Sequence, residues 1–166
     1  MTTIPTSATP RLLPEELLAL AGDHERTELE RYRDLAFRFL AFSSAASRLM
    51  AALGIECEMR LSGLLRAARR LGLEEPRAGG AIQPAAPAVT APGLISSLAM
   101  ARGALSKAMT DAAASQRLYV RLGELGAGCS LGHEFVAIAR QKQAELAILR
   151  EHCLESGAWQ LERRRA

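Results

Sequence analysis

The sequence predicts an all-α protein, a four-helix bundle in which two antiparallel hairpins are joined by a long crossover. Three observations carry this. Apolar residues recur at spacings of three, four and seven along four long stretches rich in Ala, Leu, Arg and Glu. Nowhere does polar alternate with apolar for long enough to suggest a strand. The helix breakers gather in one interior segment, residues 74–93, which holds Pro76, Pro84, Pro87, Pro92, Gly79 and Gly80.

The first helix opens at Pro14, backed by Glu15 and Glu16, and is expected to run to about Phe42, with Gly22 as a point of bending. The second runs from an N-cap at Ser47 to Leu71, where Gly72 ends it. The third spans Leu94 to Leu125 and stops at Gly126 and Gly128. The fourth begins near Ser130 and stops after Ser156, at Gly157. The links at 43–46 and 126–129 are short, so each flanking pair forms a hairpin. A second helix of ~25 residues is about 37 Å long. The segment 74–93 can return that distance, because ~20 extended residues reach at most roughly 66 Å. The bundle then occupies residues 14–157, with 74–93 as the crossover and residues 1–13 and 158–166 as tails.

A length of 166 residues favours one domain with a core of its own. Lys and Arg number 21 against 18 Asp and Glu, and a net charge of +3 with interleaved signs gives no ground for a nucleic-acid partner. Charges interrupt every apolar stretch before the ~20 residues of a membrane span, and residues 1–10 lack a signal-peptide pattern, so a cytoplasmic location is expected. Cys57, Cys129 and Cys153 are read as reduced thiols, Cys57 inert between two glutamates.

Most residues on the inward stripes are ordinary core residues: Leu18, Leu29, Leu35 and Phe39 on the first helix, Met50, Leu61 and Leu65 on the second, Leu105, Ala112 and Leu122 on the third, Phe135, Ile138 and Leu149 on the fourth. Glu25, Glu58, Lys142 and Glu145 break this pattern, all near mid-helix on apolar faces. The hairpins also echo one another. The segment around Tyr32 recurs around Tyr119 at an offset of 87, which suggests a pseudo-two-fold with the four unusual groups near its axis.

Glu25 seven residues before Tyr32, followed by Glu56-Cys57-Glu58-Met59-Arg60-Leu61, resembles the rubrerythrin branch of the ferritin-like, di-iron carboxylate proteins. The resemblance covers about residues 14–155. It implies a ferritin-like bundle, with Glu then Tyr seven later on helices one and three, Glu-x-x-His on helices two and four, and two irons between them. The ligand set is degenerate. Glu25 and Glu58 match glutamate positions and Tyr32 and Tyr119 match the tyrosines. Leu61 and Glu145 fall at the histidine positions, while Ala112 and Lys142 fall at the remaining glutamate positions.

Glutamates converging in a dry core need a compensating charge. Iron would supply it in the resembled family; here the ammonium of Lys142 can, giving a pseudo-site of Glu25, Glu58, Glu145 and Lys142 with Tyr32 and Tyr119 beside it. The expectation is a structural or partner-binding bundle without a cofactor. The alternative is an iron-binding oxidoreductase or iron-handling protein that uses Glu25, Glu58 and Glu145 as metal ligands. A face assignment off by one position would instead make Glu25 or Glu58 a solvated helix residue. His24, His133 and His152 are read as solvated, Trp159 as packing the tail, and Glu162 to Arg165 as a solvated end. A homodimer is expected, because Phe37, Ile55, Leu64, Ile95, Val136 and Ile148 exceed what one core consumes.

Overall fold

A computed structural model describes residues 12–73 and 93–163, with side chains through residue 154. Among the described residues there are four helices and no strand: α1 (Pro14–Phe39), α2 (Ser44–Arg70), α3 (Leu98–Leu125) and α4 (Leu131–Arg163). Residues 74–92 of the expected crossover, the tail residues 1–11 and 164–166, and the side chains of Trp159 and Glu162 lie outside the described residues.

Helix ends follow local hydrogen bonding, which moves several of the expected boundaries. At the start of α1 the Glu16 carboxylate accepts from Leu13 N at 2.7 Å. The helix runs without a break through Gly22, which is buried with the Arg26 guanidinium near it. The helix ends three residues before the expected Phe42, because Leu40 N and Phe42 N turn back onto Phe37 O and Phe39 O. Ser43, and not Ser47, caps α2: its hydroxyl accepts from Ala46 N at 3.2 Å, while Ser47 Oγ donates to Ala36 O at 2.7 Å. Gly72 ends α2 as expected. Its φ of 63° is the left-handed conformation that lets Leu73 N reach Ala68 O and Gly72 N reach Arg69 O.

Ser97 caps α3 by accepting from Met100 N, so α3 begins at Leu98 and not Leu94. Leu94 to Ser97 form a lead-in tied to α1 by Ile95 N donating to Arg38 O at 3.0 Å. Gly132 admits the α3–α4 turn, since a Cβ there would sit 2.7 Å from Gly126 O. α4 passes through Gly157 and ends at Arg163. A glycine without the left-handed turn of a C-cap is only a penalty of about 1 kcal/mol within a helix.

α1 packs along α2 and α3 along α4, and the two pairs meet across narrower seams, α1 on α3 and α2 on α4. Two apolar clusters form the core. One holds Phe39, Met50, Leu53, Leu105 and Leu149; the other holds Leu17, Leu18, Leu122, Leu131 and Phe135. Full burial of each large side chain contributes about 1.5–3 kcal/mol. Between the clusters lies a layer of buried charge. No helix among the described residues is long and apolar enough to cross a membrane.

Candidate functional site: a buried ionic layer

On α1, Glu25, Glu28, Tyr32, Leu35 and Phe39 face inward at spacings of three and four. On α2 the buried series is Met50, Leu53, Cys57, Arg60, Leu64 and Ala67, and α4 contributes Lys142 and Glu145. Glu25 and Lys142 are fully buried, and Glu28, Arg60 and Glu145 are nearly so.

Arg60 is the hub. Its Nε donates to Glu25 Oε2 at 2.9 Å and its Nη2 to Glu145 Oε2 at 3.1 Å, with Cys57 Sγ at 3.2 Å from the same nitrogen. Lys142 Nζ stands 3.3 Å from Glu25 Oε1, 3.7 Å from Glu28 Oε2 and 3.7 Å from Glu145 Oε2. Arg31 closes the layer at its edge, 2.7 Å from Glu28 and 3.1 Å from Asp111, with its guanidinium over the Tyr32 ring. Three carboxylates thus face three cations. Glu25 Oε1 accepts no hydrogen bond and takes its compensation from the nearby ammonium.

Tyrosines close the layer above and below. Tyr32 Oη donates to Glu145, and Tyr119 Oη donates to Ala21 O at 3.3 Å. Burial and the neighbouring carboxylates, Glu145 for Tyr32 and Glu25 for Tyr119, hold both phenols protonated far above their ordinary range. Burial alone would raise Glu25, but Lys142 and Arg60 outweigh it and leave this carboxyl below its usual value. At Glu28 burial wins over Arg31 and Lys142, and the carboxyl is raised. Burial pushes the Cys57 thiol up to about 12, which makes it a poor nucleophile.

Of the residues singled out from sequence, Glu25, Glu145, Lys142, Tyr32 and Tyr119 come together here. Glu58 does not. It points to solvent and pairs with Arg33 on the exposed flank of α2. The inward series of α2 runs through Cys57 and Arg60, one position before the expected Glu58 and Leu61, so Glu58 is the residue that an assignment off by one leaves solvated. Arg60 and Glu28 were missed for the same reason: Leu61 and Leu29 lie one position on and satisfied the stripe just as well. The available signal was Arg60 in series with Leu53, Cys57 and Leu64, an arginine amid apolar positions.

Ala112 is buried on α3 as expected, and Asp111 turns aside to Arg31 and Lys107. His24 is not solvated: it is half-buried, with Nε2 2.7 Å from Ser115 Oγ and its ring edge-on to Tyr119. His133 is exposed and His152 half-buried. Of the expected surplus apolar residues, Leu64 and Ile95 belong to the core, while Phe37, Ile55, Val136 and Ile148 are exposed. Among the described residues no group of three or more His, Cys, Asp or Glu is arranged to hold a metal ion.

The echo between the two helix pairs extends into this layer. At an offset of 87, Glu25, Glu28 and Tyr32 on α1 correspond to Ala112, Ser115 and Tyr119 on α3, and all six are buried. At an offset of 85, Cys57 and Arg60 correspond to Lys142 and Glu145, an i, i+3 pair on each helix. No family model, curated protein or solved structure matches this chain.

Proposed function

We propose that this protein is a ferritin-like bundle in which a self-neutralising ionic layer stands where the resembled family holds two irons, and that it acts as a structural or partner-binding bundle. The topology read here is two antiparallel hairpins with α2 and α3 parallel. It is supported by the cross-helix pairs: Tyr119 with Ala21, Ser115 with His24, Asp111 with Arg31 and Ile95 with Arg38 run in opposite order along α1 and α3. Arg60 with Glu145 and Arg70 with Glu134 do the same along α2 and α4.

The observation that carries the reading is the Arg60 guanidinium bridging Glu25 and Glu145 across the bundle. In the resembled family a metal pair would draw its ligands from these inward positions. Here they are Glu25, Cys57, Arg60, Ala112, Lys142 and Glu145, two carboxylates and two cations among them. This donor set does not fit a di-iron centre. The carboxylates are already engaged, Cys57 is a protonated thiol, and two fixed cations within a few ångströms repel a divalent ion by several kcal/mol even at an effective dielectric near 20. The layer instead holds the two helix pairs in one register, the best-attested use of buried charge.

The test is metal content together with a binding measurement. Protein purified from iron-replete cells is expected to carry well under one iron per chain. Its melting temperature is expected to stay constant when Fe(II), Mn(II) or Zn(II) is added anaerobically. Close to two irons per chain with an oxo-bridge absorption band would overturn the reading in favour of the iron-dependent oxidoreductase.

A further inference from the structure

The outer face of α2 repeats a second spacing that the core does not use. Ala45, Arg48, Ala52, Ile55 and Met59 follow one another at intervals of three and four, on the side of the helix opposite Leu53, Cys57 and Arg60. Ile55 is 57% exposed and Met59 60%, high values for large apolar side chains in the middle of a helix. A stripe with this spacing is the seam along which two helices pack.

We propose that this face is where a second copy of the chain docks, α2 against α2 in antiparallel register about a two-fold axis through Ala52. Charge selects the register. Arg48 and Glu56 are both exposed and each lies four residues, about 6 Å, from Ala52. A two-fold at Ala52 therefore brings Arg48 of each copy to Glu56 of the other, twice over. The same axis sets Met59 of one copy over the small Ala45 of the other. With only Ala52 methyls at the crossing, the helix axes can approach to about 8 Å. An axis midway between Ile55 and Met59 would set these two side chains against each other but bring Arg48 against Arg66, so the charges disfavour it. The interface is isologous, as a closed dimer requires. It uses none of the residues of the ionic layer, and it stands or falls independently of what that layer does.

Sedimentation and light scattering on the full chain test this. The wild type is expected to move, with rising concentration, toward twice the 17.9 kDa chain mass, and to be largely dimeric at about 100 µM. R48E and E56R each replace two attractions by two repulsions and are expected to weaken the dimer by about tenfold or more. The double variant R48E/E56R restores the pairs and is expected to recover wild-type affinity. A52E places two carboxylates on the axis and is expected to give a monomer with an unchanged circular dichroism spectrum, since Ala52 is exposed. Should A52E misfold, the charge-swap series decides alone. A wild type monomeric at about 100 µM overturns the proposal. So does a dimer indifferent to the charge swaps, which would place the contact elsewhere, such as the shallow groove of about 390 Å³ between Val120 and Val136 on α3 and α4.

Discussion

The two apolar clusters and the layer between them respond to the same constraint, exclusion of water, by opposite means. At the ends, Phe39, Met50 and Leu149 on one side and Leu17, Leu122 and Phe135 on the other fill space and bring no polar atom that needs a partner, Phe39 and Phe135 fully buried among them. An end residue exchanged for another of like volume loses little. In the layer, Glu25, Glu28 and Glu145 are tolerated only because Arg31, Arg60 and Lys142 reach them, and each of these carboxylates answers to two of the cations. The ends lose packing and transfer energy in proportion to what is cut away, whereas loss of one member of the layer leaves buried charges uncompensated. On the reading proposed above, the layer sets the register of the helices and the ends supply the bulk of the stability.

The largest effect is expected at the hub. Arg60→Met removes the guanidinium that both Glu25 and Glu145 accept from, leaves two buried carboxylates short of charge, and should cost about 3–5 kcal/mol in chemical denaturation. A loss below about 1 kcal/mol would mean that water reaches the layer, and the contrast with the apolar ends would disappear.

Lys142→Met comes next, and its pH dependence gives a sharper reading than its size. In the wild type the Glu25 carboxyl lies below its ordinary value, so its contribution to stability is present above the unfolded value and is lost as pH falls through the folded one. Lys142 is the leading attraction behind that shift. Without it Arg60 is the cation left to oppose burial, the Glu25 carboxyl moves up, and the variant should recover stability relative to wild type as pH drops from 7 to 4. Parallel melting curves at several pH values check this. A constant gap between the two proteins would show that Lys142 acts by packing alone.

Leu149→Ala probes an end cluster. This fully buried side chain belongs to the cluster around Phe39 and Met50, and its truncation should cost about 2–4 kcal/mol with no dependence on pH between 4 and 8. The flat profile, set beside that of Lys142→Met, separates the two modes of burial.

Glu28→Gln tests a carboxyl of the layer for which burial wins. Its folded value is raised, so its contribution is fully present below the unfolded value and is lost as pH rises through the folded one. The variant should therefore gain on the wild type between pH 4.5 and 7, in the direction opposite to that expected from the Glu25 carboxyl. A gain toward acid would reverse the assignment of burial over Arg31.

How much of this was legible in the sequence varied with the neighbours of each residue. The four helices and the Gly72 stop followed from spacing and from a glycine that the left-handed turn requires. Glu25, Lys142 and Glu145 could be found because each interrupts a clear apolar series. Arg60 and Glu28 could not be fixed, because Cys57–Arg60–Leu64 and Glu58–Leu61–Leu65 are equally good helical stripes 100° apart. Only packing against α4 chooses between them. The start of α2 was displaced because Ser43, Ser44 and Ser47 are all competent caps, and the hydrogen bond of Ser47 to Ala36 O is a tertiary contact that no local rule supplies. α4 was read as ending at Gly157, yet the helix continues through it to Arg163; Gly72 ends α2 at positive φ and Gly126 ends α3 at a φ of −85°, so a glycine by itself marks no stop.

The smallest effect is expected from Glu58→Gln, and it is the control for all the others. Glu58 and Glu25 are the same residue type, each paired with an arginine across the α1–α2 pair: Glu58 of α2 with Arg33 of α1, and Glu25 of α1 with Arg60 of α2. The side chains of the first pair are 48% and 65% exposed, and those of the second 0% and 4%. In water the Coulombic gain is screened and the long side chains keep their entropy, so Glu58→Gln should change stability by no more than about 0.5 kcal/mol and vanish into error at high salt. Glu25→Gln leaves the Arg60 and Lys142 cations underneutralised in a dry layer and should cost several times as much, with little dependence on added salt. Equal effects at the two positions would mean that depth of burial is not what distinguishes them, and the division of the bundle into an ionic layer and apolar ends would have to be redrawn around Arg33 as well.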